Sequence, residues 1–371
     1  MDVPAFTCDS RLMLFAPHPD DESLGCGVLL QRAVEAGASI RVIYATDGEN
    51  NPWPQRAIMR KWHLNPGDRR RWGKLRRAEA LAALRVLGID AADVRFLSLA
   101  DQKLSILLMQ DCPGILKWLR ALIEEFAPTH LIVPSLADAH PDHSALGVML
   151  RLAVSFLPTP SQIDVWRYIV HGRSSAFFDH AVSLNQSEAQ VKMKRLAIAR
   201  HGTQLALSRR RFFAYAKRDE RFLDSRSLTT PVPDGFVTWI TRSAHTLRLR
   251  IRMPFRLLIL AEPSLVFLGH DTRGRLRTLG AEIPVRSGRL EVTDLNSGGP
   301  AASANYHGNK FGGELEMPLS TFSTAHSLFF KIERRGLFFD QAGWIEVKAP
   351  LSSDVGAAIS HSEEASSVAT R

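Results

Sequence analysis

Cysteine is scarce in this chain, with Cys8, Cys26 and Cys112 the only three among 371 residues. An odd number at unpaired spacing excludes a disulfide framework and a zinc-finger arrangement, and it points to a reducing compartment. Long apolar runs are missing as well. None approaches the ~18–20 residues of a membrane span, and the densest stretch, residues 257–268, is interrupted by Glu262 and Pro263. The first residues, MDVPAFTCDSRLMLFAP, lack a basic region leading into a long apolar core, so no secretory signal is expected. The expectation is a cytoplasmic protein with at most peripheral membrane contact. No repeat of 20–50 residues is present. Acidic residues are in deficit, and the net charge of +9 favours anionic partners without choosing among them.

What is present is an alternation of strand and helix patterns through the first half. Residues 11–16 (RLMLFA), 39–45 (SIRVIYA), 94–99 (VRFLSL), 130–134 (HLIVP) and 163–170 read as strands. Helices are expected over about 23–36, 74–87, 112–126 and 144–156, with Gly37 and Gly88 as terminators. This alternation implies an α/β fold, a Rossmann-like and mostly parallel sheet with helices on both faces. From about residue 231 the texture changes to short alternating runs such as FVTWIT, LRLRIRM, LLILA and SLFFKI, separated by Gly, Pro, Ser and Asn. That pattern predicts a smaller, β-rich and sandwich-like C-terminal domain. The expected organisation is a first domain over 1–225, a β-rich domain over 231–350, and a disordered tail over 351–371.

Two polar phrases stand at corresponding strand ends. FAPHPDDESLG closes the first strand and AHPDHSALG closes the fourth. In a parallel sheet ligands sit beyond the carboxyl ends of the strands, so two sequence-distant phrases can meet there. His18, Asp21 and His143 could together form a two-His, one-Asp metal set. Asp20 would then be left free as a general base, and His140 and Asp142 would suit charge stabilisation and orientation of a ligand imidazole. The competing view is that each acid merely caps a helix, for which Asp20, Asp21, Glu22 and Ser23 are all suited. A lone HPDD would favour capping; two such clusters on one rim favour a metal.

PHPDDE, TDGE, RRAEALAALRVLG and HPDHSALG, in that order, resemble the PIG-L/LmbE-type zinc-dependent N-acetylglucosaminyl deacetylases over about residues 10–205. The resemblance implies hydrolysis of an N-acetyl group on an amino sugar to give a free amine and acetate. It further implies Zn2+, or another divalent transition metal, on His18, Asp21 and His143. Asp20 would be the base, His140 an imidazolium that stabilises the oxyanion, and Asp142 a buttress. Arg76 and, more loosely, Asp101 would contact substrate. The partner implied is an N-acetylated sugar, free or linked to an anionic, lipid or phosphate group. Three departures are visible: Pro17 replaces the usual Ala before His18, no Tyr precedes HPDH, and Thr203 replaces Ser in KRLAIARHGTQ. The β-rich half has no counterpart in the minimal family fold, and a carbohydrate-binding or assembly protein on a deacetylase scaffold is the alternative.

Other features are less telling. The connection 50–77 carries Trp53, Trp62 and Trp72 among many basic residues, with Asp68 the only acid. It reads either as a lid for a sugar and a phosphate or as a solvated basic face over packed aromatics. Ser208-Arg209-Arg210-Arg211-Phe212-Phe213 reads as a solvated helix flank ahead of contact with a membrane or an acidic substrate, and no nucleic-acid readout motif accompanies it. Gly25-Cys26-Gly27 is no dinucleotide fingerprint, because the third glycine would fall at Leu30. His201 reads either as a residue approaching the site or, being alone on its helix, as structural, the commoner case.

Overall fold

The computed structural model describes residues 4–110, 112–172, 175–225, 237–252, 263–334, 339 and 343–350. The expected tail over 351–371 and the run LLILA lie outside the described residues. The chain divides into two units, Met1–Thr229 and Thr230–Arg371.

In the first unit, β1 (Arg11–Ala16) leads through a polar turn to α1 (Asp21–Gly25) and α2 (Gly27–Glu35). Then follow β2 (Ser39–Thr46), α3 (Pro52–Met59), α4 (Pro66–Val86), β3 (Val94–Leu99), α5 (Leu104–Gln110) and α6 (Pro113–Phe126). Next come β4 (His130–Pro134), α7 (Pro141–Ser155), β5 (Asp164–Tyr168), α8 (Ser175–His180), β6 (Val182–Leu184), α9 (Glu188–Ile198), α10 (Gly202–Tyr215) and β7 (Glu220–Asp224).

The seven strands order as β3-β2-β1-β4-β5-β7-β6. The first five are parallel, and β7 and β6 add an antiparallel edge that the apolar pattern does not announce. Leu12, Leu14 and Ala16 face a core shared with α2 and α4, while Met13 and Phe15, on the opposite face, are equally buried. Both faces are therefore covered, as uniformly apolar parallel strands require. Strand order reverses between β1 and β4, and this topological switch point is where a crevice opens beyond the strand ends. The two His-Pro-Asp phrases follow these two strands.

Three local departures from the sequence pattern bear on the crevice. The helix expected over 23–36 is broken at Cys26 (φ −136°, ψ 11°) into α1 and α2. The break lets the Glu220 carboxylate accept the Val28 and Leu29 N–H groups at 2.7 and 2.9 Å, capping α2 from β7. Lys194 neutralises that buried acid at 2.7 Å. Second, α4 begins eight residues before the expected 74, because Asn65 and Asp68 form a reciprocal capping box ahead of Pro66. Third, α7 begins at Pro141, not near Ser144. Pro at the first helical position suits a helix start, and His140 caps it by accepting the Asp142 N–H at 3.2 Å. Gly147 lets this helix press on β4, since a Cβ there would lie 2.6 Å from the Pro134 carbonyl oxygen.

In the second unit, β8 (Val237–Arg242), β9 (Thr246–Arg252), β10 (Pro263–His270), β11 (Leu276–Glu282) and β12 (Arg286–Asp294) are joined by β13 (Pro300–Asn309), β14 (Gly312–Pro318), β15 (Leu328–Arg334) and β16 (Ile345–Val347). All nine belong to one antiparallel sheet, ordered β16-β15-β10-β11-β12-β13-β14-β9-β8. The sheet curls around a single core, to which Leu249, Phe267, Val292, Tyr306 and Phe330 contribute. Its two edges come close enough for Arg242 of β8 to donate to the carbonyls of Ser323 and His326, at 2.9 and 2.8 Å, and of Val347 in β16 at 3.2 Å. The sandwich-like half thus takes a nearly closed, barrel-like form. No described helix is long and apolar enough to cross a membrane.

Candidate metal centre

Beyond β1, the His18 N–H donates to Asp21 Oδ2 at 2.9 Å, which folds the turn back on itself. Three atoms from the two phrases then converge. His18 Nδ1 lies 3.3 Å from Asp21 Oδ2, His143 Nε2 lies 3.2 Å from the same oxygen, and the two nitrogens are 3.2 Å apart. Tetrahedral zinc with ligands at about 2.0–2.1 Å requires ligand–ligand separations of about 3.3–3.4 Å, so this triangle has the size that a metal demands. Two imidazole nitrogens and one carboxylate oxygen also form a donor set suited to catalytic zinc and to other first-row ions. Further donors crowd the same place, as His140 groups with His18 and His143, and His171 with Asp21 and His143. The residues fit a divalent metal.

The ring nitrogens remote from the triangle are held by carboxylates, as ligating histidines require. Asp138 Oδ2 sits 3.2 Å from His143 Nδ1. Asp101 Oδ1 and Asp142 Oδ2 sit 3.2 and 3.3 Å from His18 Nε2. These acids are themselves anchored: Asp138 accepts from the N–H groups of His140, Val170 and His171, and Asp142 from those of Gln102 and Leu104. Buried carboxylates need such partners, because desolvation otherwise costs several kcal/mol each. Burial alone would lower His143, but the Asp21 and Asp138 carboxylates prevail and raise it to about 9.

Asp20 occupies a backbone region that L-residues seldom adopt (φ 145°, ψ −25°). Its N–H donates to Glu22 Oε2 at 2.9 Å, and its Oδ2 lies 3.2 Å from the Arg76 guanidinium. Arg76 is buried and also donates to the carbonyls of Pro19 and Gly48, at 2.6 and 2.9 Å. Burial, opposed by Arg76 and reinforced by Asp21, pushes the Asp20 carboxyl up to about 6. His140 moves in the other direction: burial and the neighbouring His18, His143 and His171 hold it well below the usual range. Its Nδ1 accepts a backbone hydrogen bond, so the neutral ring carries its proton on Nε2. A neutral N–H donor, not the expected imidazolium, is what this environment favours.

All the residues singled out in the two phrases come together, but Arg76 and Asp101 are turned inward. Arg76 grips the turn carrying Asp20, and Asp101 braces His18 while accepting the Asn50 N–H at 2.6 Å. Sequence reasoning missed Asp138, whose signal is an acid five residues before His143 in the turn after β4. It also missed His171, beyond β5, and the use of Glu22, which reads equally well as a helix-start acid. Trp72 is buried, whereas Trp53 and Trp62 are 62% and 68% exposed and flank the Arg56 guanidinium at 5.3 and 5.0 Å. Of the three Trp residues in that basic segment, only Trp72 packs as core.

A Rossmann-like sheet with a histidine–carboxylate cluster at its switch point defines the N-terminal unit as an α/β protein with a candidate mononuclear metal centre. Residues 13–154 of this chain match the model of the PIG-L family, described as GlcNAc-PI de-N-acetylase. Over 84 residues it is 38% identical to 1D-myo-inositol 2-acetamido-2-deoxy-alpha-D-glucopyranoside deacetylase of Mycobacterium avium, covering 21% of this chain and 25% of that protein. It thus spans about a quarter of that relative's length. Over 198 residues it is 22% identical to a probable N-acetyl-alpha-D-glucosaminyl L-malate deacetylase 2 of Bacillus cereus, covering 53% of this chain and 84% of that protein. Among solved structures, N,N'-diacetylchitobiose deacetylase from Pyrococcus horikoshii aligns with a TM-score of 0.45 at 18% identity, covering 58% of this chain and 83% of that one.

Proposed function

We propose that the protein is a metal-dependent N-deacetylase that hydrolyses the acetamide of an N-acetylamino sugar to acetate and a free amine. The observation that carries this reading is the triangle of His18 Nδ1, Asp21 Oδ2 and His143 Nε2, with the raised carboxyl of Asp20 next to it in the chain. These three residues would hold the ion, most simply Zn2+. When bound, it supplies Lewis acidity toward the acetyl carbonyl and toward water.

Asp20 takes a proton from the attacking water and returns it to the sugar nitrogen as the C–N bond breaks. A carboxyl near 6 suits both transfers better than one near 4, because it holds a proton more firmly yet still releases it. The Nε2–H of neutral His140 donates to the oxygen on which negative charge develops. Asp142 and Asp101 orient His18, Asp138 orients His143, and Arg76 holds Asp20. Glu49 Oε2, buried without a hydrogen-bond partner among the described residues while its Oε1 accepts the Asp101 N–H, is the acceptor we assign to a sugar hydroxyl.

The curated relatives are named for N-acetylglucosamine joined to inositol or malate. With the basic, Trp-bearing connection 50–77, the malate of the second relative supports a small conjugate whose aglycone carries negative charge. A cytoplasmic location, with membrane contact limited to the surface, belongs to the same proposal.

The test is acetate release from a panel of N-acetylglucosamine conjugates by the zinc-loaded full chain, with and without chelator. The expected result is turnover that chelation abolishes and Asp20→Asn depresses while zinc remains bound. One zinc per chain with no turnover on any conjugate would replace this reading with that of a carbohydrate-binding protein.

A further inference from the structure

Hydrogen-bonded to Asp20 is a buried pair of residues that the mechanism above does not use. Glu22 and His201, 179 positions apart, are both fully enclosed, with His201 Nε2 3.0 Å from Glu22 Oε1. The Ser23 hydroxyl donates to the same oxygen at 2.6 Å. The other carboxylate oxygen of Glu22 accepts the Asp20 N–H at 2.9 Å. A chain of hydrogen bonds therefore runs from the junction of α9 and α10 to the one residue of the HPDD turn with positive φ.

We infer that the Glu22–His201 pair is a positioning device that locks Asp20 in its strained backbone conformation and so aims the carboxylate at the reacting centre. The inference rests on the deacetylase reading for what Asp20 does, but not for how it is held. At φ 145° a residue with a Cβ is out of its favoured regions, and such a conformation persists only where the surroundings over-determine it. Arg76 holds the Asp20 side chain and the preceding Pro19 carbonyl. The Pro19 carbonyl and the Asp20 N–H share one planar peptide unit, so Arg76 holds its oxygen side and Glu22 its N–H side, and His201 fixes Glu22.

The imidazole makes little sense as packing. Its Nδ1 is buried with no hydrogen-bond partner among the described residues, which an apolar side chain in the same place would avoid. Its polar contact with Glu22 is made through Nε2. The same segment ties itself to the rim at further points: Thr203 donates through its N–H and hydroxyl to Glu79, at 2.8 and 2.6 Å, and Gln204 accepts from Asn51 at 3.2 Å. The junction therefore has a fixed place against which Glu22 can be braced.

The experiment compares full-length His201→Ala, His201→Gln, Glu22→Ala and wild type, each loaded with zinc. Loss of the brace is expected to lower kcat about 10–100-fold, a part of what a general base contributes. KM should stay within about twofold, and one zinc per chain should be retained. His201→Gln, whose amide N–H can donate to Glu22, should recover most of the loss. Crystal structures of the two alanine variants should show Asp20 leaving the positive-φ region, a readout that requires no turnover. If the wild type releases no acetate, the deacetylase reading fails while the backbone of Asp20 in those structures still decides the positioning claim. Alanine variants with unchanged kcat, or with Asp20 still near φ 145°, would overturn it. So would loss of zinc and thermal stability in equal measure in His201→Ala and His201→Gln.

Discussion

The two units handle charge in opposite ways. Beyond β1 and β4, Asp21, Asp138, Asp142 and His143 are buried, and their polar atoms are fixed by specific donors and acceptors. On the second unit's curled sheet, Arg248 pairs with Glu316 at 2.8 Å and Arg250 pairs with Glu314, all four side chains lying in solvent. Exposed pairs of this kind contribute about 0–1 kcal/mol each, because water already solvates the charges. The buried cluster cannot be explained that way. Its like-charged members repel, and desolvation works against every one of them, so a stable fold alone would select apolar residues there. Crowded, buried, mutually oriented ionisable groups mark a site, whereas a ladder of exposed ion pairs marks only a strand face.

This contrast can be broken by experiment, most severely at the triangle. Asp21→Ala or His143→Ala should reduce zinc from one per chain to a trace and abolish acetate release, as metal analysis and an amine assay would show. Asp20→Asn should keep the metal but slow turnover by about 10²–10⁴-fold. Retention of more than a tenth of wild-type turnover would remove Asp20 as the base. Asp138→Ala, which frees His143 Nδ1, should weaken zinc binding by about 10–100-fold in a competition titration. Unchanged affinity would show that Asp142 and Asp101 suffice.

A smaller effect concerns the stability of the metal-free protein. The folded Asp20 carboxyl titrates at about 6 against 3.8 for an ordinary aspartate, so between those values the folded state binds more protons than the unfolded one. Stability must then fall as pH rises through that window, and the cost persists above it. Asp20→Asn should therefore gain about 1–3 kcal/mol over wild type at pH 8 and nothing near pH 3.5, measured by urea unfolding. Equal stability at both pH values would mean that Arg76 fully compensates the buried charge. The smallest effect belongs to the second unit: Arg250→Ala should cost at most about 0.5–1 kcal/mol, diminishing as salt is added.

Much of the site was legible in the chain. His18, Asp20, Asp21, His140, Asp142 and His143 stand out because each phrase closes an apolar strand, and a parallel sheet carries such strand ends to one rim. Strands with uninterrupted apolar side chains were legible for the same reason. The edge pair β6 and β7 was not, since Val182–Leu184 is three residues long and Glu220–Asp224 opens on two charges. The break at Cys26 was hidden as well, because the Glu220 and Lys194 side chains that make it favourable lie in remote elements.

By itself the sequence determined which donors exist and, through hydrophobic periodicity, that two strand ends carry them to the same side of a sheet. Only the tertiary structure decided how each group is used. It turned Arg76 and Asp101 inward, set Asp142 on His18 and Asp138 on His143, placed His140 where burial and neighbouring imidazoles lower its proton affinity, and braced Glu22 with His201. Periodicity reports which face of an element is apolar. Hydrogen-bond partners and desolvation depend on the relative placement of elements far apart in the chain, and so emerge only once they have packed.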